Sequence, residues 1–148
     1  MKTKDGIKVI EFNFRFGDPE TEVVLPRLES DLFLAFEALL PNGEPILKFF
    51  SSTTLGIVLA SKGYPLSYKK HFVIEGLENV SRKIYGMGVE EKDGKIYTAG
   101  GRVRIVVEKG SDVKEVRDKA LKGIEKIPCE NLFYHCDIGH WALEGEKK

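Results

Sequence analysis

Ile7-Lys8-Val9-Ile10-Glu11-Phe12-Asn13-Phe14-Arg15-Phe16 alternates without a break, and Gly17-Asp18-Pro19-Glu20 follows at once. Ile10, Phe12, Phe14 and Phe16 share one face. Val9, Glu11, Asn13 and Arg15 share the other. A period of two over ten residues predicts a strand. Gly17 to Glu20 then reads as a turn into a helix, with Asp18 suited to the N-cap and Pro19 to the first helical position. Pro26 interrupts the helical pattern, so a short helical turn is expected before it. A longer helix is expected from about Arg27 to Leu40, with Leu28, Leu32, Ala35 or Phe36, and Leu39 on its apolar side.

Pro41-Asn42-Gly43-Glu44-Pro45 is the strongest break in the chain. It suggests a division into residues 1–45 and 46–148. Beyond it the pattern changes to short strands over Thr54–Ala60, Phe72–Glu75, Lys83–Tyr85, Lys95–Thr98 and Arg102–Glu108. Turns such as Lys62-Gly63-Tyr64-Pro65 and Asp93-Gly94 separate them. Ser111–Lys126 reads as a second helix, capped by Ser111, with Val113, Val116, Ala120 and Ile124 as its buried stripe. A final short strand is expected around Leu132–Tyr134. The class is therefore α+β: a strand and helix, then a mostly antiparallel sheet with one packed helix.

Composition bounds the function. Leu, Ile, Val and Phe make up 46 of 148 residues, enough for a core in one domain of ordinary size. Basic and acidic residues balance at 23 each, so the electrostatic footprint of a general nucleic-acid binder is missing. The longest apolar run, Leu32 to Phe36, is far too short to span a membrane. The first residues hold no hydrophobic signal core, and two cysteines make no disulfide framework, so a reducing cytoplasm is the expected compartment. Lys outnumbers Arg 17 to 6, Glu outnumbers Asp 16 to 7, and Gln is absent, a skew seen in hyperthermophile proteins.

Three constellations carry candidate chemistry. On the polar face of the first strand, Glu11 and Asn13 project the same way and offer a carboxylate and an amide oxygen to one point. Such hard ligands suit Mg²⁺, which takes few protein ligands and leaves the rest to phosphates and water. Arg15 comes next on that face, where a guanidinium could hold a phosphoryl group. Asp18 follows across Gly17, whose missing Cβ admits a ligand closely. The plainer alternative is a solvated strand face with a helix cap behind it.

The second constellation is Thr98-Ala99-Gly100-Gly101-Arg102-Val103. Paired glycines before an arginine could turn backbone N–H groups and a cation toward an anion. A bulge or tight turn with a solvated Arg102 explains the same residues. The third is Cys129, His135, Cys136 and His140, four zinc-competent side chains within a dozen residues. Their spacing fits no common zinc site, and a small buried thiol beside surface histidines is the simpler account. Nucleophilic catalysis by Cys136 with His140 lacks any identifiable orienting group or oxyanion hole.

The stretch from Val9 to Glu22, continued by Val24-Leu25-Pro26-Arg27-Leu28-Glu29-Ser30-Asp31-Leu32, resembles the ATP-grasp active-site strand of phosphoribosylamine–glycine ligases. Leu59-Ala60-Ser61-Lys62-Gly63-Tyr64-Pro65 with Ser67-Tyr68 is similar to the opening of that family's C-terminal domain. Thr98 to Val103 matches its Gly-Gly-Arg-Val segment, and Asp137-Ile138-Gly139 with Ala142-Leu143 its tail. The resemblance implies the last strand and helix of an ATP-grasp core, followed by the family's C-terminal domain. It implies ATP-dependent joining of glycine to phosphoribosylamine, a step of purine biosynthesis.

By the same resemblance, Glu11 and Asn13 would ligate the Mg²⁺ that bridges ATP phosphates. Arg15 would offset phosphoryl charge, and Asp18 would hold the glycine ammonium. Gly17 would lie against substrate, and Arg102 would contact the phosphoribosyl group. The upstream substrate domain, ATP lid and phosphate-contacting lysine of the family have no counterpart in this sequence. Gly86-Met87-Gly88-Val89 and His135-Cys136 stand where the family has a His-Ala-Gly-Thr-like segment and Arg-x. Mg²⁺ and ATP binding would thus require the missing half, and the first strand would seek either a separate ATP-binding polypeptide or a second copy of the chain. The alternative is a non-catalytic binding or scaffold module, or a relic, derived from that domain.

Overall fold

The computed structural model describes residues 1–40, 43–76 and 83–145. The expected break at Pro41-Asn42 lies outside the described residues. Nine strands and four α-helices are described: β1 (Lys2–Thr3), β2 (Gly6–Ile7), α1 (Thr21–Val24), α2 (Leu32–Leu39), β3 (Thr53–Ser61), β4 (Val73–Ile74), β5 (Lys83–Gly86), β6 (Val89–Lys92), β7 (Lys95–Thr98), β8 (Arg102–Gly110), α3 (Val113–Ile124), β9 (Leu132–Phe133) and α4 (His140–Gly145). A 3₁₀ turn, Leu25–Arg27, joins the end of α1 and contains Pro26.

The α+β expectation holds. Four strands form an antiparallel sheet in the order β5-β8-β3-β9, and β4-β7-β6 form a second. The pair β3 and β8 is the spine. Leu55, Ile57 and Leu59 alternate on one face of β3 and meet Val116, Ala120 and Ile124 of α3, with Val103, Val106, Ile74 and Ile127 completing the core. Burying each of the Leu, Ile and Val side chains contributes roughly 1.5–3 kcal/mol, so this layer carries most of the stability. Surface ion pairs add about 0–1 kcal/mol each.

The other face of the spine is covered from the N-terminal side. Thr54 Oγ1 donates to the Val23 carbonyl at 2.7 Å. A Cβ on Gly56 would come within 2.9 Å of Val23 Cγ1 and 2.5 Å of Ile105 Cδ1. Gly56 is thus the recess that admits α1 onto the sheet.

Several elements depart from expectation. Of the alternating stretch 7–16 only Ile7 is in a strand, Gly6–Ile7, which pairs with Lys2–Thr3 in a small hairpin. Residues 8–16 carry no regular secondary structure, because no described strand of this chain offers them a ladder. Asp18 does not cap α1: the helix starts later, behind Glu20 and without a side-chain cap, and the Gly17 carbonyl accepts from the Thr21 backbone N–H at 3.0 Å and from the Thr21 hydroxyl. The second helix begins at Leu32, not Arg27. Leu28 is instead drawn into a bridge with Phe49, and Asp31 Oδ1 caps the helix by accepting from Phe33 N at 2.8 Å and Leu34 N at 3.1 Å. Asp112 caps α3 in place of Ser111. Strand β6 was not expected. It forms a hairpin with β7 through Asp93-Gly94, both at positive φ as a tight two-residue turn requires.

Candidate functional site

Strand β8 begins at the site. Its register against β3 slips between Leu59, opposite Arg104, and Ala60, opposite Arg102, so Val103 is an extra residue in the ladder. Such a bulge re-aims the side chains around it. Before it, the Gly100 and Ala99 N–H groups donate to the Gly88 carbonyl at 3.0 and 2.8 Å, and the Gly88 N–H donates to the Arg102 carbonyl at 2.9 Å. A Cβ on Gly88 would lie 2.6 Å from Gly100 Cα, and one on Gly101 2.2 Å from the Tyr64 ring. The glycines are there for close backbone packing. Of the two readings of this segment the bulge is the one present, and the N–H groups of Ala99 and Gly100 are held by the Gly88 carbonyl.

Arg102 is not a freely solvated side chain. Its Nη1 donates to the Asp18 carbonyl at 2.6 Å and lies 3.6 Å from Asp18 Oδ1. Two candidate residues separated by 84 positions therefore meet. Both side chains stay partly open to solvent. Two residues on, Arg104 is buried, and desolvation lowers its pKa from the ordinary guanidinium range. Its Nε finds no partner among the described residues.

Glu11, Asn13 and Arg15 are exposed on the segment before Gly17. Phe12 and Phe14 stack with ring centroids 6.0 Å apart. Arg15 Nη1 donates to the Phe16 carbonyl at 2.8 Å, and the Arg15 N–H makes a long 3.4 Å contact to Asn13 Oδ1. Gly17 lies next to Glu20, whose Oε2 would be 2.3 Å from an added Cβ. The structure thus joins Asp18 to Arg102 directly, whereas Glu11, Asn13 and Arg15 form a separate exposed row on the same segment. The chemistry of that row, one carboxylate and one amide oxygen free of tight internal partners in the described hydrogen bonds, fits a hard divalent cation that completes its shell elsewhere.

The third constellation is dispersed. Cys129 is half-buried beside the core and Cys136 is exposed. His135 Nδ1 is 3.9 Å from Asp137 Oδ1, and His140 Nε2 is 3.3 Å from Glu144 Oε1. Among the described residues no three His, Cys, Asp or Glu side chains converge on one point. Sequence reading missed the cleft of about 520 Å³ where His71 Nδ1 meets Glu90 Oε1 at 2.7 Å. Nineteen residues separate the pair, and only the unforeseen strand β6 brings them together.

An antiparallel sheet, one long helix on one face and an N-terminal segment bearing Glu11, Asn13, Arg15 and Asp18 toward the other define an α+β domain. A sequence model of the family "Phosphoribosylglycinamide synthetase, C domain" matches residues 54–141. The phosphoribosylamine–glycine ligase of Halalkalibacterium halodurans is 45% identical over 145 residues, covering 97% of this chain and 34% of that protein. That of Caldanaerobacter subterraneus subsp. tengcongensis is 47% identical over 141 residues, covering 93% and 34%. A crystal structure of the ligase from Thermotoga maritima superposes with a TM-score of 0.78 at 34% identity, covering 93% of this chain and 34% of that one.

The chain belongs to the phosphoribosylglycinamide synthetase C-domain family, and it matches the C-terminal portion of phosphoribosylamine–glycine ligase. It spans about a third of the length of the curated relatives it matches. Among the described residues no helix is long and apolar enough to cross a membrane.

Proposed function

We propose that this chain supplies the C-terminal part of a phosphoribosylamine–glycine ligase and works with the remaining two-thirds of that enzyme. Residues 1–45 then finish an ATP-grasp core, and residues 46–148 form the C-terminal domain, acting in the cytoplasm on glycine and phosphoribosylamine. The observation that carries this reading is the row Glu11, Asn13, Arg15, followed by Asp18 held against Arg102, within a match that covers 97% of this chain and 34% of the ligase.

Glu11 and Asn13 would hold Mg²⁺, which when bound neutralises charge on the phosphates of ATP. Arg15 places a cation where negative charge builds on the phosphoryl group as the glycine carboxylate is converted to an acyl phosphate. Asp18 presents a carboxylate to the glycine ammonium. The amine of phosphoribosylamine then attacks the acyl carbon and phosphate leaves. By itself the chain is inactive, because an exposed row of ligands without the facing half lacks preorganisation.

The test is reconstitution. The chain is mixed with a polypeptide carrying the other two-thirds of the ligase, and ADP formation that needs both glycine and phosphoribosylamine is measured. Glu11→Ala should lower the rate of the assembled pair by about 100-fold or more, while leaving the thermal midpoint of the chain unchanged. No glycine-dependent ADP from a stable complex would reject the reading. A second reading, a non-catalytic module derived from the ligase, draws on the absence of any described ladder for residues 8–16. It predicts that Glu11→Ala changes nothing measurable.

A further inference from the structure

Val23 seats the segment that bears the candidate site in the Gly56 recess of the sheet, but the described hydrogen bonds between the two are few. Residues 8–16 take no part in a described ladder. The helix α1 is a single turn without a side-chain cap. Thr54 holds it at its far end through the Val23 carbonyl. At its near end the described tie to the sheet is Arg102, which reaches the Asp18 carbonyl at 2.6 Å and the Asp18 carboxylate at 3.6 Å.

A bond from a cation to a backbone carbonyl fixes the chain path itself, whatever the side chain does. Arg102 opens β8, paired with Ala60 just before the bulge at Val103, and from there its side chain reaches that carbonyl. The planar fork of a guanidinium can hold a carbonyl and a carboxylate of one residue together, which an ammonium on a flexible stem does poorly.

We propose that Arg102 is a positioning residue: it clamps the Asp18 turn to the start of β8 and so sets where the Asp18 carboxylate is presented. It works through Asp18 and does not itself bind the phosphoribosyl group. The role assigned to Asp18 rests on the ligase reading above, whereas the clamp does not.

Two measurements test it. The first uses this chain alone and reads amide hydrogen exchange at Thr21, Val23, Val24 and Leu25, whose N–H groups are bonded within the turn. Arg102→Met should speed exchange there about five- to tenfold, the loss of one partly exposed charge-assisted bond. Exchange at Ile57 and Val106, in the β3–β8 ladder, should stay within twofold of the parent. Arg102→Lys should recover part of the protection. Asp18→Asn should change it less than twofold, because the short bond goes to the carbonyl. Unaltered exchange in Arg102→Met, or equal acceleration in the ladder, overturns the clamp.

The second uses the assembled ligase. Arg102→Met and Asp18→Asn should each raise KM for glycine, and the double variant should be no worse than the more severe single. A rise in KM for phosphoribosylamine alone, or effects that multiply, would assign Arg102 to substrate and overturn the proposal. An assembled pair with no ligase activity would reject the function, and the exchange data would still decide the clamp.

Discussion

Glu115 lies in the first turn of α3, where Ser111 donates to it from both backbone N–H, at 2.8 Å, and hydroxyl, at 2.7 Å, while Lys119 pairs with its other oxygen. The Lys119 bond, then the two from Ser111, hold its pKa at about 2 against an ordinary 4.5. Asp112 is lowered too, first by the bond from the Glu115 N–H. Both groups bind protons more weakly in the folded chain than in the unfolded one. Their stabilisation is therefore full above the ordinary carboxylate range and fades as pH falls toward about 2. The thermal midpoint of the parent should exceed that of Glu115→Gln near neutrality, and the gap should close on acidification to about pH 2. A gap that stays constant with pH would remove Glu115 from the acid response. The pair also shows what the sequence hides at this scale. Ser111 and Asp112 are adjacent acceptors, and either fits an N-cap. The exit of the chain from β8 decides that Asp112 caps and Ser111 braces Glu115. The meeting of Asp18 with Arg102 was likewise illegible, since neither residue type nor spacing encodes a contact across 84 positions.

Elements with a buried side were the clearest in the sequence; of those without one, α1, β5 and β9 were anticipated, whereas β6 and α4 were not. β3, β7, β8 and α3 announce themselves because the core demands their periodicity. β6 reads Val-Glu-Glu-Lys, has little to bury, and exists because β7 offers it a ladder. Residues 8–16 are the converse case: a clear period of two with no described partner. The start of α2 followed capping rather than apolar pattern. Leu28 fits the stripe, yet its bridge to Phe49 takes it out, and the helix waits for Asp31. Asp31→Ala should therefore cost about 1 kcal/mol, read as a lower denaturant midpoint at unchanged slope. An unshifted midpoint would mean that α2 is held by its contacts alone, which is hard to reconcile with Ala35 as its one buried residue.

At the scale of the whole molecule the two ends differ in kind. Residues 53–133 enclose a core, whereas the N-terminal third shows its apolar side chains to solvent. Phe12, Phe14 and Phe16 are 74%, 94% and 53% exposed. Beside them Phe16 and Phe36, 6.3 Å apart, help to line a wholly apolar hollow of about 270 Å³ with Leu28, Leu32, Leu47 and Phe49. A contiguous patch of this kind marks an interaction surface, and unpaired backbone beside it is a template for another strand. Covering one phenylalanine contributes roughly 1.5–3 kcal/mol, which adds to the backbone pairing that another strand would bring. In sedimentation velocity the chain by itself should therefore run as a dimer or larger species. Phe12→Ser with Phe14→Ser should shift it to monomer while the monomer stays folded, because neither ring contributes to the core. Adding a polypeptide with the other two-thirds of the ligase should replace self-association by a one-to-one complex, since the same strand cannot serve two partners. A monodisperse monomer whose residues 8–16 resist amide exchange would contradict both arms, for it would require a ladder from within the chain that none of the described strands provides.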